Sequence, residues 1–127
     1  MKARVLKALV GVAVTLSGLL VASPAHAVST SVTSPDGGAY GRVIVGANGN
    51  YTFNAEDKSC DARGAVLHQR TFEGAWGRTV SDGSCHGDGV YLGPFTGGHG
   101  VQIEFYVCNT NTRTGYKSCS AKKRVTT

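Results

Sequence analysis

The side chains with chemical potential in this chain crowd between Ser81 and His99. Ser81, Asp82, Ser84, His86 and Asp88 place hydroxyl, imidazole and carboxylate groups in one turn-rich stretch, the atoms that a nucleophilic triad uses. A triad must converge on one reacting atom, and neighbours in a single loop converge poorly. The Gly-x-Ser-x-Gly turn that presents a serine for attack is missing. His86 and His99 with Asp88 offer nitrogen and oxygen donors for a borderline cation, but they sit in separate loops with no ligand spacing. Glu56 or Asp57 with Glu73 would supply paired carboxylates for glycoside cleavage, yet these acids read as solvated loop residues. The third histidine, His68, stands apart from both groups. The glycine-rich run Gly93 to Gly100 lacks the strand–loop–helix context of a phosphate cradle and reads as a long hairpin connection. Its tip, Gly97-Gly98-His99-Gly100, is a candidate binding loop. The expectation is a non-catalytic protein with no metal and no cofactor.

Contact chemistry is better represented. Trp76, in Ala75-Trp76-Gly77-Arg78, would form a hot spot or a sugar-stacking platform if exposed. In a small sandwich a lone tryptophan is expected in the core. Among Tyr40, Tyr51, Tyr91, Tyr106 and Tyr116, Tyr106 falls on the polar face of the most regular strand, and Tyr116 is expected near it across a hairpin. Lys122-Lys123-Arg124 reads as a charged edge strand that resists aggregation, in preference to a site for anionic polymers. The residues assigned to partner binding are Val28, Thr30, Val32, His99, Tyr106 and Tyr116.

Four cysteines, Cys60, Cys85, Cys108 and Cys119, must hold whatever loops carry these groups. An even count without a Cys-x-x-Cys pair points to two disulfides and away from zinc. Three pairings are possible; Cys60–Cys85 and Cys108–Cys119 are favoured because each closes a local loop. Loops of this size give about 3 kcal/mol per bridge in the chain-entropy picture, a large share of the ~5–15 kcal/mol that holds a domain together.

Residues 1–27 read as a secretory signal peptide. Lys2, Arg4 and Lys7 precede an apolar run from Ala8 to Ala22, and Ala25-His26-Ala27 is a small-residue cleavage site. The run is too short for a membrane span, so no membrane association is expected after cleavage. Residues 28–39 form an extended N-terminal arm, either flexible or an edge strand, and residues 40–127 form one domain. Beyond the leader, ten basic residues face eight acidic ones, a balance of +2. That balance argues against nucleic acid as a partner.

The elements that position these side chains are strands. Arg42 to Val45 and Tyr51 to Phe53 flank Asn48-Gly49, a type I′ hairpin signal. Ala65 to Phe72, Trp76 to Val80 and Val90 to Leu92 follow. Val101, Ile103, Phe105 and Val107 alternate with Gln102, Glu104 and Tyr106, the clearest period-two pattern in the chain. Asn109 to Gly115 is a polar turn, and Tyr116 to Val125 is the last strand. Short strands with frequent turns predict an all-β fold, a small antiparallel β-sandwich, Ig-like or similar, with two disulfides. The expected core is Val43, Val45, Phe53, Leu67, Trp76, Val90, Leu92, Val101, Ile103, Phe105 and Val107.

The stretch Val101 to Val125 combines an alternating strand ending in Val107-Cys108, a polar turn, Ser118-Cys119-Ser120 and a basic tail. It resembles the C-terminal hairpin of small secreted actinobacterial β-sandwich proteins, among them the adaptor subunits of umbrella-shaped toxin particles. The resemblance covers about a quarter of the chain beyond the leader and carries no catalytic residue. It implies a linker between secreted proteins, a lectin-like subunit and a large toxin-bearing one, partly through the N-terminal arm. A secreted inhibitor of a protease or glycosidase, presenting the loops around Cys85 and Gly93 to Gly100, is the alternative. A carbohydrate-binding module using Trp76 and tyrosines is a further one.

Overall fold

The computed structural model describes residues 27–72, 74–77, 79–85 and 87–127. Residues 1–26, and with them the expected signal peptide apart from Ala27, lie outside the described residues, as do Glu73, Arg78 and His86. The described residues form nine strands: β1 (Val28–Thr33), β2 (Ala39–Val45), β3 (Tyr51–Asp57), β4 (Gly64–Thr71), β5 (Val80–Asp82), β6 (Val90–Phe95), β7 (Gln102–Asn111), β8 (Tyr116–Cys119) and β9 (Lys123–Thr126). Every pairing is antiparallel. One sheet has the order β1-β2-β3-β6; the other has β5-β4-β7-β8, with β9 also on β7. The all-β sandwich fold expected from the sequence is thus present, with disulfides Cys60–Cys85 and Cys108–Cys119.

Alternation along β4 and β7 builds the core. Leu67 pairs with Val107, and Gln69 with Phe105. Ala65, Leu67, Ile103, Phe105 and Val107 turn inward against Ala39, Val43, Phe53 and Ala55 of the facing sheet, with Val80 closing one side. Gly41 sits where the two sheets approach closely. A Cβ built there would stand 2.6 Å from Leu67 Cδ1 and 3.1 Å from Val107 Cβ, so glycine is what lets β2 lie against the second sheet.

Several expectations need correction. Trp76 and Val90 are not core residues; Val90 is 41 % exposed, and Trp76 packs on the outer surface. The strand expected from Trp76 to Val80 occupies Val80–Asp82 instead. Backbone bonds from Gly74 N to Thr71 O and from Gly77 N to Gln69 O fold the preceding segment back along β4. The single strand expected from Tyr116 to Val125 is two, β8 and β9, both paired with β7. The β2–β3 turn is not type I′. Gly46 N bonds Asn50 O and Gly49 N bonds Gly46 O; of the loop residues only Gly49 has positive φ, +80°. That is a three-residue loop, a type I turn closed by a left-handed glycine, with Asn48 Oδ1 accepting from Asn50 N.

Residues Val28–Thr33 form an edge strand paired with β2 along their whole length. Ser34 N bonds Ala39 O. By antiparallel alternation Val28, Thr30 and Val32 then bond β2, while Ser29, Ser31 and Thr33 turn their peptide groups to the open edge. Lys123 shares the inward parity of its partner Phe105 and crosses the gap between the sheets, its Nζ donating to Ser31 O at 3.3 Å.

Two predictions test this packing. Gly41→Ala should destabilise the fold by about 1–2 kcal/mol through overpacking, read as a lower urea midpoint; an unchanged midpoint would contradict the close sheet approach. Replacing either cystine by two serines should cost about 3 kcal/mol, somewhat more for Cys60–Cys85, which spans 25 residues against 11. Equal stability of the reduced and oxidised protein would remove that account.

Candidate functional site

The parity that turns Leu67 and Phe105 inward turns their neighbours out. His68 pairs with Tyr106, and Arg70 with Glu104, across β4 and β7; Arg124 of β9 pairs with Glu104 from the other side. These side chains share the outer face of the second sheet. The folded-back segment lays Trp76 on the same face. The His68 and Tyr106 rings stack 4.7 Å apart, 13° from parallel. Trp76 meets Tyr106 edge to face at 5.0 Å. Arg70 Cζ stands 4.6 Å and Lys122 Nζ 5.2 Å from the Trp76 ring centre, and Arg124 Cζ stands 5.1 Å from that of Phe72. Each such contact contributes about 0.5–1 kcal/mol at an exposed site.

Glu104 ties the cations together. Its Oε1 accepts from Arg70 Nη2 at 2.9 Å and Nε at 3.2 Å, and its Oε2 accepts from Arg124 Nε at 3.0 Å. Arg124, then Arg70, hold this carboxyl below the usual carboxylate range. Burial, with a smaller push from Lys117, lowers the His68 pKa, so its imidazole is neutral at neutral pH.

The other sequence-derived groups are placed differently. Val28, Thr30 and Val32 lie on β1, at the edge of the other sheet; Val32 packs against the core and Val28 is 61 % exposed. Tyr116 is not beside Tyr106. It pairs with Asn111 at the far end of β7. His99 is exposed in the loop before β7, whose Gly98 lies against Gly49. His99 and Tyr116 therefore stand at opposite ends of a strand roughly 30 Å long. Thr127 clasps the His99 loop through Gly100 N to Thr127 O and Thr127 Oγ1 to Gly98 O.

At the Tyr116 end, Asp36 is a hub. Its Oδ1 accepts from Ser34 Oγ at 2.6 Å and Gly38 N at 3.0 Å; its Oδ2 accepts from Tyr116 Oη at 2.7 Å and Asn109 Nδ2 at 2.9 Å. Desolvation pushes the Asp36 pKa up, but these four donors outweigh it and hold the carboxyl far below its ordinary value. The same bond raises the Tyr116 pKa, and Arg63 lies on the Tyr116 ring at 3.5 Å.

Of the acids weighed as catalysts, Asp57 and Asp82 serve the backbone, as does Asp61, and Glu56 pairs with Lys58. Asp57 Oδ1 accepts from Ser59 N; Asp82 accepts from Asp57 N and Ser84 N; Asp61 Oδ1 accepts from Arg63 N. With Asp36–Gly38, Asn48–Asn50 and Asn111–Arg113 these make six turns closed by an Asp or Asn side chain on the amide two residues on. An open pocket of about 720 Å³ lies beside the Asp57, Asp61, Asp82 and Asn111 turns, lined by Asp57, Asp61, Arg63, Ser81 and Arg113 beside the Cys60–Cys85 bridge. Desolvation raises the Asp57 pKa, but the carboxyl already accepts a loop amide. Among the described residues no group of histidines, cysteines and acids has metal-binding geometry.

Sequence reasoning found Tyr106 and missed His68, Arg70, Phe72 and Arg124 as members of the same face. The alternation of Val66, His68 and Arg70 with Ala65 and Leu67 carries the signal for the β4 members. Comparison with protein-family models, curated proteins and solved structures returns no match to this chain.

Asp36 gives a test of the clasp. Its folded pKa is depressed, so its stabilisation is present above the unfolded carboxylate pKa and is lost as pH falls through the folded value. Asp36→Asn should cost about 1–3 kcal/mol at neutral pH, and the gap to wild type should close in acid. Urea unfolding of both proteins across the acid range checks this; a gap independent of pH would rule out the charged hub.

Proposed function

We propose that this chain is a secreted, non-catalytic protein-binding module that acts as an adaptor between subunits of an extracellular complex, of the toxin-particle kind its C-terminal hairpin resembles. The observation that carries the reading is the outer face of the second sheet. Trp76, Tyr106, Arg70 and Arg124 are the residue types that dominate interface hot spots, and here they form one half-exposed cluster on a sheet. A face fixed by strand pairing and a nearby cystine loses little side-chain freedom on binding. An adaptor needs a second contact, and the side chains of β1 at the edge of the opposite sheet, with Val28 61 % exposed, supply a separate surface. Two disulfides fit an oxidising, extracellular setting, in keeping with the leader at residues 1–27. Arg70 and Lys122 already stand against the Trp76 ring, which favours a protein partner over a stacked sugar. The tether of the His99 loop to Thr127 speaks against a projecting inhibitory loop.

The test is capture from the producing cells' culture supernatant by tagged protein starting at Val28. Wild type should retain a defined exported polypeptide; Trp76→Ala and Tyr106→Ala, with cooperative thermal unfolding preserved, should lose it, and Arg113→Ala at the far pocket should not. Undiminished capture by a folded Trp76→Ala/Tyr106→Ala variant would refute the assignment of this face.

A further inference from the structure

We infer that the segment this face receives is an acidic stretch of polypeptide, recognised through its carboxylates; the inference rests on the protein-binding reading above. Charge complementarity carries it. Arg70, Lys122 and Arg124 all lie over aromatic rings of the face, and Lys117 is close enough to bias His68. Glu104 is the one acid among the described residues that pairs with them, and both its oxygens are engaged by the two arginines. Lys122 has no carboxylate partner among the described residues, and the Arg124 side chain is 64 % exposed, giving only its Nε to Glu104. The face therefore keeps a surplus of positive charge with unused donors.

Among the described residues the other acids lie away from this face: Glu56 pairs with Lys58, and Asp88 lies beside Asn54 on the first sheet. Asp36, Asp57, Asp61 and Asp82 are fixed in turns elsewhere, each bonded to a backbone amide. The charge of the described residues is thus separated, although the balance of the sequence beyond residue 27 is only +2. Glu104 also displays the recognition chemistry in miniature: one carboxylate gripped by Nε and Nη2 of Arg70 on a bed of aromatic rings. A partner carboxylate approaching Arg124 and Lys122 meets the Arg124 Nη groups and the Lys122 ammonium, which Glu104 leaves unused, and apolar side chains between its acids meet Trp76, Tyr106 and Phe72. A polyphosphate or nucleic acid needs cations in a track along its backbone; here they form one compact patch interleaved with rings.

The experiment is fluorescence anisotropy of a labelled peptide of alternating aspartate and tyrosine, with its asparagine–tyrosine counterpart as control and inorganic polyphosphate as competitor. Protein starting at Val28 should bind the acidic peptide at least about tenfold more tightly than the control, and added salt should weaken it. Arg124→Glu and Trp76→Ala should each weaken it by about tenfold or more. Equal binding of the asparagine peptide, no binding of either, or tight polyphosphate binding indifferent to Trp76→Ala would overturn the inference. A supernatant partner lost with Trp76→Ala but indifferent to Arg124→Glu and to salt would also overturn it, while leaving the protein-binding reading intact.

Discussion

The eight consecutive pairs between β4 and β7 are the constraint on which the molecule depends. Side chains alternate across a strand, so one register decides both what is buried and what is shown. With Leu67 opposite Val107, the odd positions of both strands close the core, and His68, Tyr106, Arg70 and Glu104 are left outside together. A slip of one residue would exchange the two sets. The Cys108–Cys119 bridge joins residues directly opposed on β7 and β8, so it fastens the central strand to its hairpin partner in that register.

The ends of the sandwich are organised by a different interaction. Asp and Asn side chains accept from amides two residues on, and Asp36 extends this by reaching Asn109 and Tyr116 on the second sheet. Two of the acids weighed for catalysis in the sequence, Asp57 and Asp82, are therefore turn-formers. Their clustering follows from where strands end, since strands of a sandwich end together. Asp57 and Asp82 are buried because the loops they organise fold over them.

What was readable in the sequence was what local pattern determines. The alternation from Val101 to Val107 gives β7 and most of the core, and two local loops give the cystines. The failures share a cause. Trp76 looked like core because a lone tryptophan usually is one; its place follows from Gly77 N bonding Gln69 O, a contact between segments with no local signature. Val90 belongs to an edge strand with one side open, where apolar character does not imply burial. Tyr116 could be put on a hairpin, but its distance from Tyr106 depends on how far β7 runs past Cys108, and that strand continues through polar residues to Asn111. The candidate face was half legible: Tyr106 from β7 alone, its cationic neighbours only once β4 and β9 are laid beside it.

Lys123 has a role that its sequence neighbours Lys122 and Arg124 do not share. It points between the sheets, and its amine occupies the carbonyl of Ser31 on the outermost strand. Ser29, Ser31 and Thr33 would otherwise offer a row of free peptide groups to any extended chain, another molecule's β1 included. One ammonium group standing in the middle of that row interrupts the template, so a further strand pairing at Ser31 would first have to displace a charged nitrogen.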